Sequence, residues 1–303
     1  MRLQHIVPAA IATAVALALA ASAAEPVIID HSCTDLTRVP VNSLKKARSI
    51  FGVAYGHTSH GSQIVAGMEA LAKAEPAVFA FGREGGRGRL SFWDGIPEGD
   101  LGNPDRGTWA ERTRNFLRNE GRDRNLVMWS WCGQVSSASA QDIKGYLDLM
   151  NGLEKEFPRV KFVYMTGHLD GSGKNGNLNR RNEQIREFCK RRGKILFDFA
   201  DLESYDPDGK VNFMERNATD ACDYVAGGGR RKNWADDWLA RHPRSGIALP
   251  DNAAHTRPLN GALKGRAFWW MLARLAGWNP SPQPGLPNPP RRPAQPAADD
   301  ADF

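Results

Sequence analysis

The chain predicts an α/β domain built on a mostly parallel sheet with helices on both faces, and three observations lead there. Short apolar runs rich in Val, Phe, Tyr and Trp alternate with segments of helical spacing along most of the chain. That order belongs to strand–helix–strand units, which need parallel pairing. The last helical segment carries Phe268, Trp269, Trp270 and Leu272 and is too apolar to stand in water. Residues 25–279 are also of a length that one α/β domain accommodates.

Taken in order, residues 49–55 (SIFGVAY) read as a buried strand and 62–74 as the helix that follows it. A glycine-rich loop covers 82–107, and a helix occupies 108–119. Residues 125–131 (NLVMWSW) form the second strand. Residues 141–157 place Ile143, Leu147, Met150 and Leu153 on one face, the spacing of a helix. A third strand at 161–166, a helix at 179–192, a fourth strand at 194–200 and a final helix at 259–275 complete the pattern. The stretch 202–254 is long and irregular. Its Trp234, Trp238, Tyr205 and Tyr224 either pin it to the core or offer ring faces on which sugars stack.

The ends are not part of this domain. Arg2, the apolar run 11–20 and Ala21-Ser22-Ala23-Ala24 have the order of a cleavable export signal, residues 1–24. The run is shorter than the ~20 residues a membrane anchor needs, and no later segment is long and apolar enough to span a bilayer. Residues 280–303 are proline-rich with no aliphatic run to bury, which predicts a disordered tail. A periplasmic or secreted location is therefore expected. Four cysteines (Cys33, Cys132, Cys189 and Cys222) in an exported chain favour disulfides, with three pairings open. An oxidising compartment argues against a catalytic cysteine. The net charge of +6 is spread through the chain with no nucleic-acid-binding signature, so no nucleic-acid partner is expected.

In parallel sheets ligands bind beyond the carboxyl ends of the strands. The first strand is followed by Gly56-His57-Thr58-Ser59-His60-Gly61-Ser62-Gln63, the second by Cys132-Gly133-Gln134, and the third by Gly167-His168-Leu169-Asp170. His255 arrives four residues after Asp251, just before the final helix. Acyl transfer by a serine needs a nucleophile on a tight strand-to-helix turn, an imidazole base, a carboxylate to orient it and donors for the oxyanion. Ser59 is the preferred nucleophile and Ser62 the reserve, with His255 as base and Asp251 as orienter. Gly133 and His168 are the oxyanion donors. His57, His60, Gln63 and Asp170 are candidates for substrate contact. Each serine is equally suited to capping the helix that follows.

This order of blocks resembles that of the SGNH (GDSL-like) hydrolases: a serine after strand one, a glycine after strand two, a polar side chain in a G-x-x-D stretch after strand three, and a late Asp…His pair. The resemblance covers residues 49–278. It implies a flavodoxin-like three-layer α/β/α sandwich, ester hydrolysis through an acyl-enzyme, and no cofactor. The chain departs from the family in lacking G-D-S in the first block, in having His168 where asparagine is usual, and in spacing Asp251 and His255 by four. The expectation is an exported esterase acting on an acyl ester, acetyl for preference, of a small molecule or polysaccharide. A non-catalytic glycan- or envelope-binding protein on the same fold is the alternative. A hydrolase with a metal held by His57, His60, His168 and His255 is the third reading.

Overall fold

The computed structural model describes residues 25–281. The predicted export signal, residues 1–24, and the predicted tail from residue 282 onward lie outside the described residues. The strands of the main sheet are β1 (Val27–Ile29), β2 (Gly52–Gly56), β3 (Phe81–Gly82), β4 (Leu90–Asp94), β5 (Leu126–Trp129), β6 (Lys161–Met165) and β7 (Ile195–Phe197). They pair in the order β1-β7-β6-β5-β2-β4-β3, every pair parallel. The five strands β2, β4, β5, β6 and β7 thus have the 2-1-3-4-5 order of flavodoxin-like sheets, with β1 and β3 added at the edges. The chain reverses direction across the sheet between β2 and β5, which makes their carboxyl ends the switch point.

Two helical layers cover the sheet. On one face lie α1 (Val41–Ile50), α2 (Ser62–Ala74), the short α3 (Pro76–Phe79) and, last in the chain, α9 (Pro258–Leu275). On the other lie α4 (Thr108–Arg118), α5 (Ala140–Glu156) and α6 (Asn177–Arg191). The short α7 (Phe199–Leu202) follows β7, and α8 (Trp234–Arg241) follows a hairpin of β8 (Asp223–Ala226) and β9 (Arg230–Asn233). This is the three-layer α/β/α sandwich that the alternation predicts. Every residue of β2 and β5 is buried, as a strand covered on both faces requires. Among the described residues no helix is long and apolar enough to cross a membrane.

Three readings of the sequence are corrected. The glycine-rich loop expected at 82–107 contains β4, whose Leu90 and Phe92 are buried in the core while Ser91 and Trp93 are half-buried, Trp93 packing edge-on against Phe116. Ser49 and Ile50 end a helix rather than begin a strand. The irregular stretch 202–254 holds β8, β9 and α8 and has an apolar cluster of its own, in which Trp234 and Trp238 are 1% and 5% exposed. These tryptophans therefore pin the excursion and present no ring face to a sugar. The disulfide expectation is not met: all four cysteines are free thiols. Cys33 and Cys189 lie in the main core, Cys222 in the second one, and Cys132 at the carboxyl edge of the sheet.

The close contact of α2 with α9 sets the height of the loop that precedes α2. It is made by glycines: a Cβ on Gly67 would lie 2.1 Å from the Gly261 carbonyl oxygen, and one on Gly265 would lie 2.3 Å from the Gly67 carbonyl carbon. Backbone meets backbone there, so no side chain can move aside. Gly67→Ala is expected to lower stability by about 1–3 kcal/mol through overpacking. Urea denaturation followed by circular dichroism measures it.

Candidate functional site

Beyond β2 the chain leaves the sheet at Gly56 and turns through His57-Thr58-Ser59-His60-Gly61 into α2. The turn is tight because Gly61 has no side chain. A Cβ there would lie 2.4 Å from both His57 Cβ and Ser130 Oγ. The Ser62 amide makes the first helical bond, to the Thr58 carbonyl. The amides of Ser59 to Gly61 therefore precede the helical ladder, the place where a helix start meets an anion.

This turn delivers His60 between two partners. Its Nδ1 lies 3.1 Å from Cys132 Sγ, and its Nε2 lies 3.0 Å from Asp220 Oδ2. A carboxylate only accepts, so Nε2–H donates to Asp220 and Nδ1 keeps its lone pair toward the thiol. Cys132 sits three residues past β5, across the switch point from β2. Thiol, imidazole and carboxylate thus form one unbroken line.

Each member of that line is held from behind. Asp220 Oδ1 accepts from the Ala221 amide at 2.9 Å, leaving Oδ2 for the imidazole. The Asp220 amide donates to the Leu169 carbonyl, and its own carbonyl accepts from Thr256 Oγ1 at 2.6 Å. The Cys132 amide donates to Gln134 Oε1, and Gln134 Nε2 donates to Asp100. Asp100, 1% exposed, also accepts from Thr58 Oγ1 at 2.5 Å. The loops after β2 and β5 are therefore tied together beneath the thiol.

Two further imidazoles flank His60. His168 stacks on one face at 3.8 Å and His255 on the other at 4.3 Å, the planes within 6° and 5° of parallel. Burial lowers His60 below the ordinary histidine value; the Asp220 hydrogen bond opposes this, and the neighbouring His168 charge adds to it. Burial raises Asp220, but the His60 hydrogen bond and the His168 charge outweigh it and hold the carboxyl below its usual value. The pair is poised as neutral imidazole beside carboxylate, the resting state of a general base.

A buried ion pair supports this arrangement from below. Lys264 and Glu203, both fully buried, meet at 2.6 Å, and Lys264 Nζ also donates to Gln63 Oε1. Gln63 Nε2 donates to the Ala254 carbonyl at 2.6 Å, and Glu203 Oε2 accepts from the Leu169 amide at 2.7 Å. One ammonium group on α9 thereby connects Leu169 and Ala254, the neighbours of His168 and His255, with Gln63, one helical turn past His60.

The sequence-predicted residues fall into three groups. Ser59, His60, His168, His255 and Gly133 come together. Ser59 Oγ is exposed and 3.9 Å from Cys132 Sγ, and Gly133 backs onto His168 Nε2, 3.8 Å from where its Cβ would be. His255 takes φ 63°, a left-handed conformation rare outside glycine, and strain of this kind gathers at functional sites. Asp251 does not join them: it is exposed and faces Lys73 at 3.6 Å, while Asp220 holds the place expected of it. The last group serves the fold. Ser62 Oγ donates to the Ser59 carbonyl, Gln63 lies fully buried under the site, and Asp170 caps its own turn at Ser172. His57 spends both ring nitrogens, on Asp94 at 2.7 Å and on the Thr58 carbonyl at 2.8 Å, and so stands outside any metal cluster.

The sequence reading set Cys132 aside and did not find Asp220, Asp100, Lys264 or Glu203. Cys132 alone carried a signal, since it directly follows a predicted strand. Lys264→Met is expected to lower stability by about 3–5 kcal/mol, because it strands a buried carboxylate. Adding Glu203→Gln should recover part of that, since the amide oxygen still accepts from Leu169; urea melts of the two variants measure both. Comparison with protein-family models, with curated proteins and with solved structures finds no match to this chain.

Proposed function

We propose that this protein hydrolyses acyl esters through a covalent acyl-enzyme formed at the carboxyl ends of β2 and β5. The supporting observation is the line from Cys132 Sγ through His60 to Asp220, with spacings of 3.1 and 3.0 Å. In this reading Sγ attacks the ester carbonyl carbon as Nδ1 takes the thiol proton, and Asp220 stabilises the imidazolium. The amides at the start of α2 receive the oxyanion. The imidazolium then protonates the leaving alcohol, and a water deprotonated by His60 releases the acid. His168 donates Nδ1–H to the Leu169 carbonyl at 2.8 Å, which leaves Nε2 beside Gly133 for contact with the substrate. Export of the chain and an acetyl ester as the substrate belong to the same proposal and rest on the sequence reading alone.

A second reading keeps Ser59 as the nucleophile. It is supported by the place of Ser59 on the turn into α2, by its exposure and by its 3.9 Å approach to Cys132 Sγ. Treatment with iodoacetamide and, separately, with a fluorophosphonate, followed by peptide mapping, separates the two. On the thiol reading Cys132→Ala and His60→Ala each lower kcat/KM for small acetyl esters about a thousandfold or more, and Ser59→Ala leaves it nearly unchanged. Loss of activity in Ser59→Ala, with the adduct on Ser59, transfers the role to the serine. Absence of turnover and of adducts in folded protein refutes both.

The acid limb of the pH profile carries its own expectation. Since burial lowers His60 from the ordinary 6.5, the neutral base persists to more acid pH than usual. The midpoint of the acid limb of kcat/KM should therefore lie below pH 6.5. A midpoint above that value contradicts His60 as the base.

A further inference from the structure

His60, His168 and Asp220 place three ligand atoms within 4.8 Å of one another. Asp220 Oδ2 is 3.0 Å from His60 Nε2 and 4.0 Å from His168 Nδ1. Four-coordinate zinc holds its ligands at about 2.0–2.1 Å, which puts them about 3.3 Å apart. His60 and Asp220 already stand near that separation, whereas His168 has to approach Asp220 by about 0.7 Å and turn out of its stack on His60, since parallel rings cannot aim two in-plane lone pairs at one ion. We infer that these three side chains form a Zn²⁺ site, with water at the fourth position, and that zinc bound there switches the Cys132 relay off.

Two imidazoles and one carboxylate are a donor set that zinc favours, and three protein ligands with one open position is its usual arrangement in sites that exchange small ligands. The residues behind the ligands are already in place. Asp220 keeps Oδ1 on the Ala221 amide and so presents Oδ2 alone. The Leu169 carbonyl, which now receives His168 Nδ1–H, keeps a donor in the Asp220 amide at 3.1 Å when that ring turns its lone pair to a metal. Such backing orients ligands and raises their affinity. Among the described residues the other group this compact is Asp30, His31 and Asp201, at the β1 edge. There His31 Nδ1 is engaged by Asp201 at 2.5 Å and its ring stacks on Tyr205 at 3.6 Å.

The effect on the relay follows from tautomerism. Zinc on Nε2 takes the lone pair of that nitrogen, so the ring proton moves to Nδ1. Nδ1 then donates toward Cys132 instead of accepting from it, and the thiol loses its base. This second half rests on the thiol reading of function, whereas the site itself does not.

Calorimetric titration of the chelator-stripped full chain with zinc chloride tests the site. One equivalent of zinc is expected to bind, and His168→Ala and Asp220→Asn are each expected to weaken it about tenfold or more, with circular dichroism unchanged. Zinc should also slow alkylation of Cys132 by iodoacetamide, and chelator should restore it. Absence of zinc binding, or binding that survives both variants, or binding that is lost in Asp201→Asn instead, overturns the site. Binding at full affinity with unchanged alkylation overturns the switch. A protein that turns over no ester yet binds zinc through His168 and Asp220 refutes the proposed function and supports the site.

Discussion

Lys264 and Glu203 lie fully buried behind the candidate site, and neither can be removed alone. An ammonium or a carboxylate out of water is costly unless the opposite charge and enough hydrogen bonds surround it. Here the ammonium has Glu203 and Gln63, with the Phe199 ring 4.1 Å away, and the carboxylate has Lys264 and the Leu169 amide. Burial lowers Lys264 and the charge of Glu203 opposes it, so the carboxylate is what favours the ammonium form. Hydrophobic residues of equal volume could fill that space, but they could not tie α9 to α2 and to the loop after β6 at fixed register. The backbones beside His168 and His255 are fastened to this pair, directly at Leu169 and through Gln63 at Ala254, and Gln63 itself stands one helical turn past His60.

From that support the site takes its form at the switch point of the sheet. β2 and β5 are neighbours, and the chain leaves them on different courses, so His60 and Cys132 meet where the two paths part. Asp220 reaches His60 from outside the sheet, on the excursion between α7 and α9. Its contacts are largely to backbone, which fixes the carboxylate without depending on the length of flexible side chains. The same construction places Asp100 under the thiol, where it links Thr58 to Gln134.

Much of the fold was legible because β2, β5 and β6 are buried on both faces and therefore read as continuous apolar runs. β4 was hidden, since its five residues lie among glycines and arginines that signal a loop. The histidines were legible by position, each just past a strand or just before the last helix. Asp220 was not, because it lies 160 residues from His60 and has no local pattern that marks it. Asp251 took its place in the sequence reading only by being near His255. Cys132 was read through its compartment rather than its position, and the free thiols show that this premise carried less weight than the strand end beside it. The tryptophans of the excursion were visible, but their burial follows from a second apolar cluster that no short-range periodicity records.

That second cluster has a consequence for how the molecule loses its site. The excursion carrying Asp220 packs on Phe213, Tyr224, Trp234 and Trp238, and it touches the remainder chiefly through Leu169, Ala200, Leu259 and Leu263. Units with their own small core open at lower free energy than the sheet they lean on. When this one opens, the carboxylate departs with it while the sheet, the thiol and the imidazole of His60 stay folded. Heat should thus disarm the molecule before it melts, and amide exchange in the excursion should outpace exchange in β5 and β6.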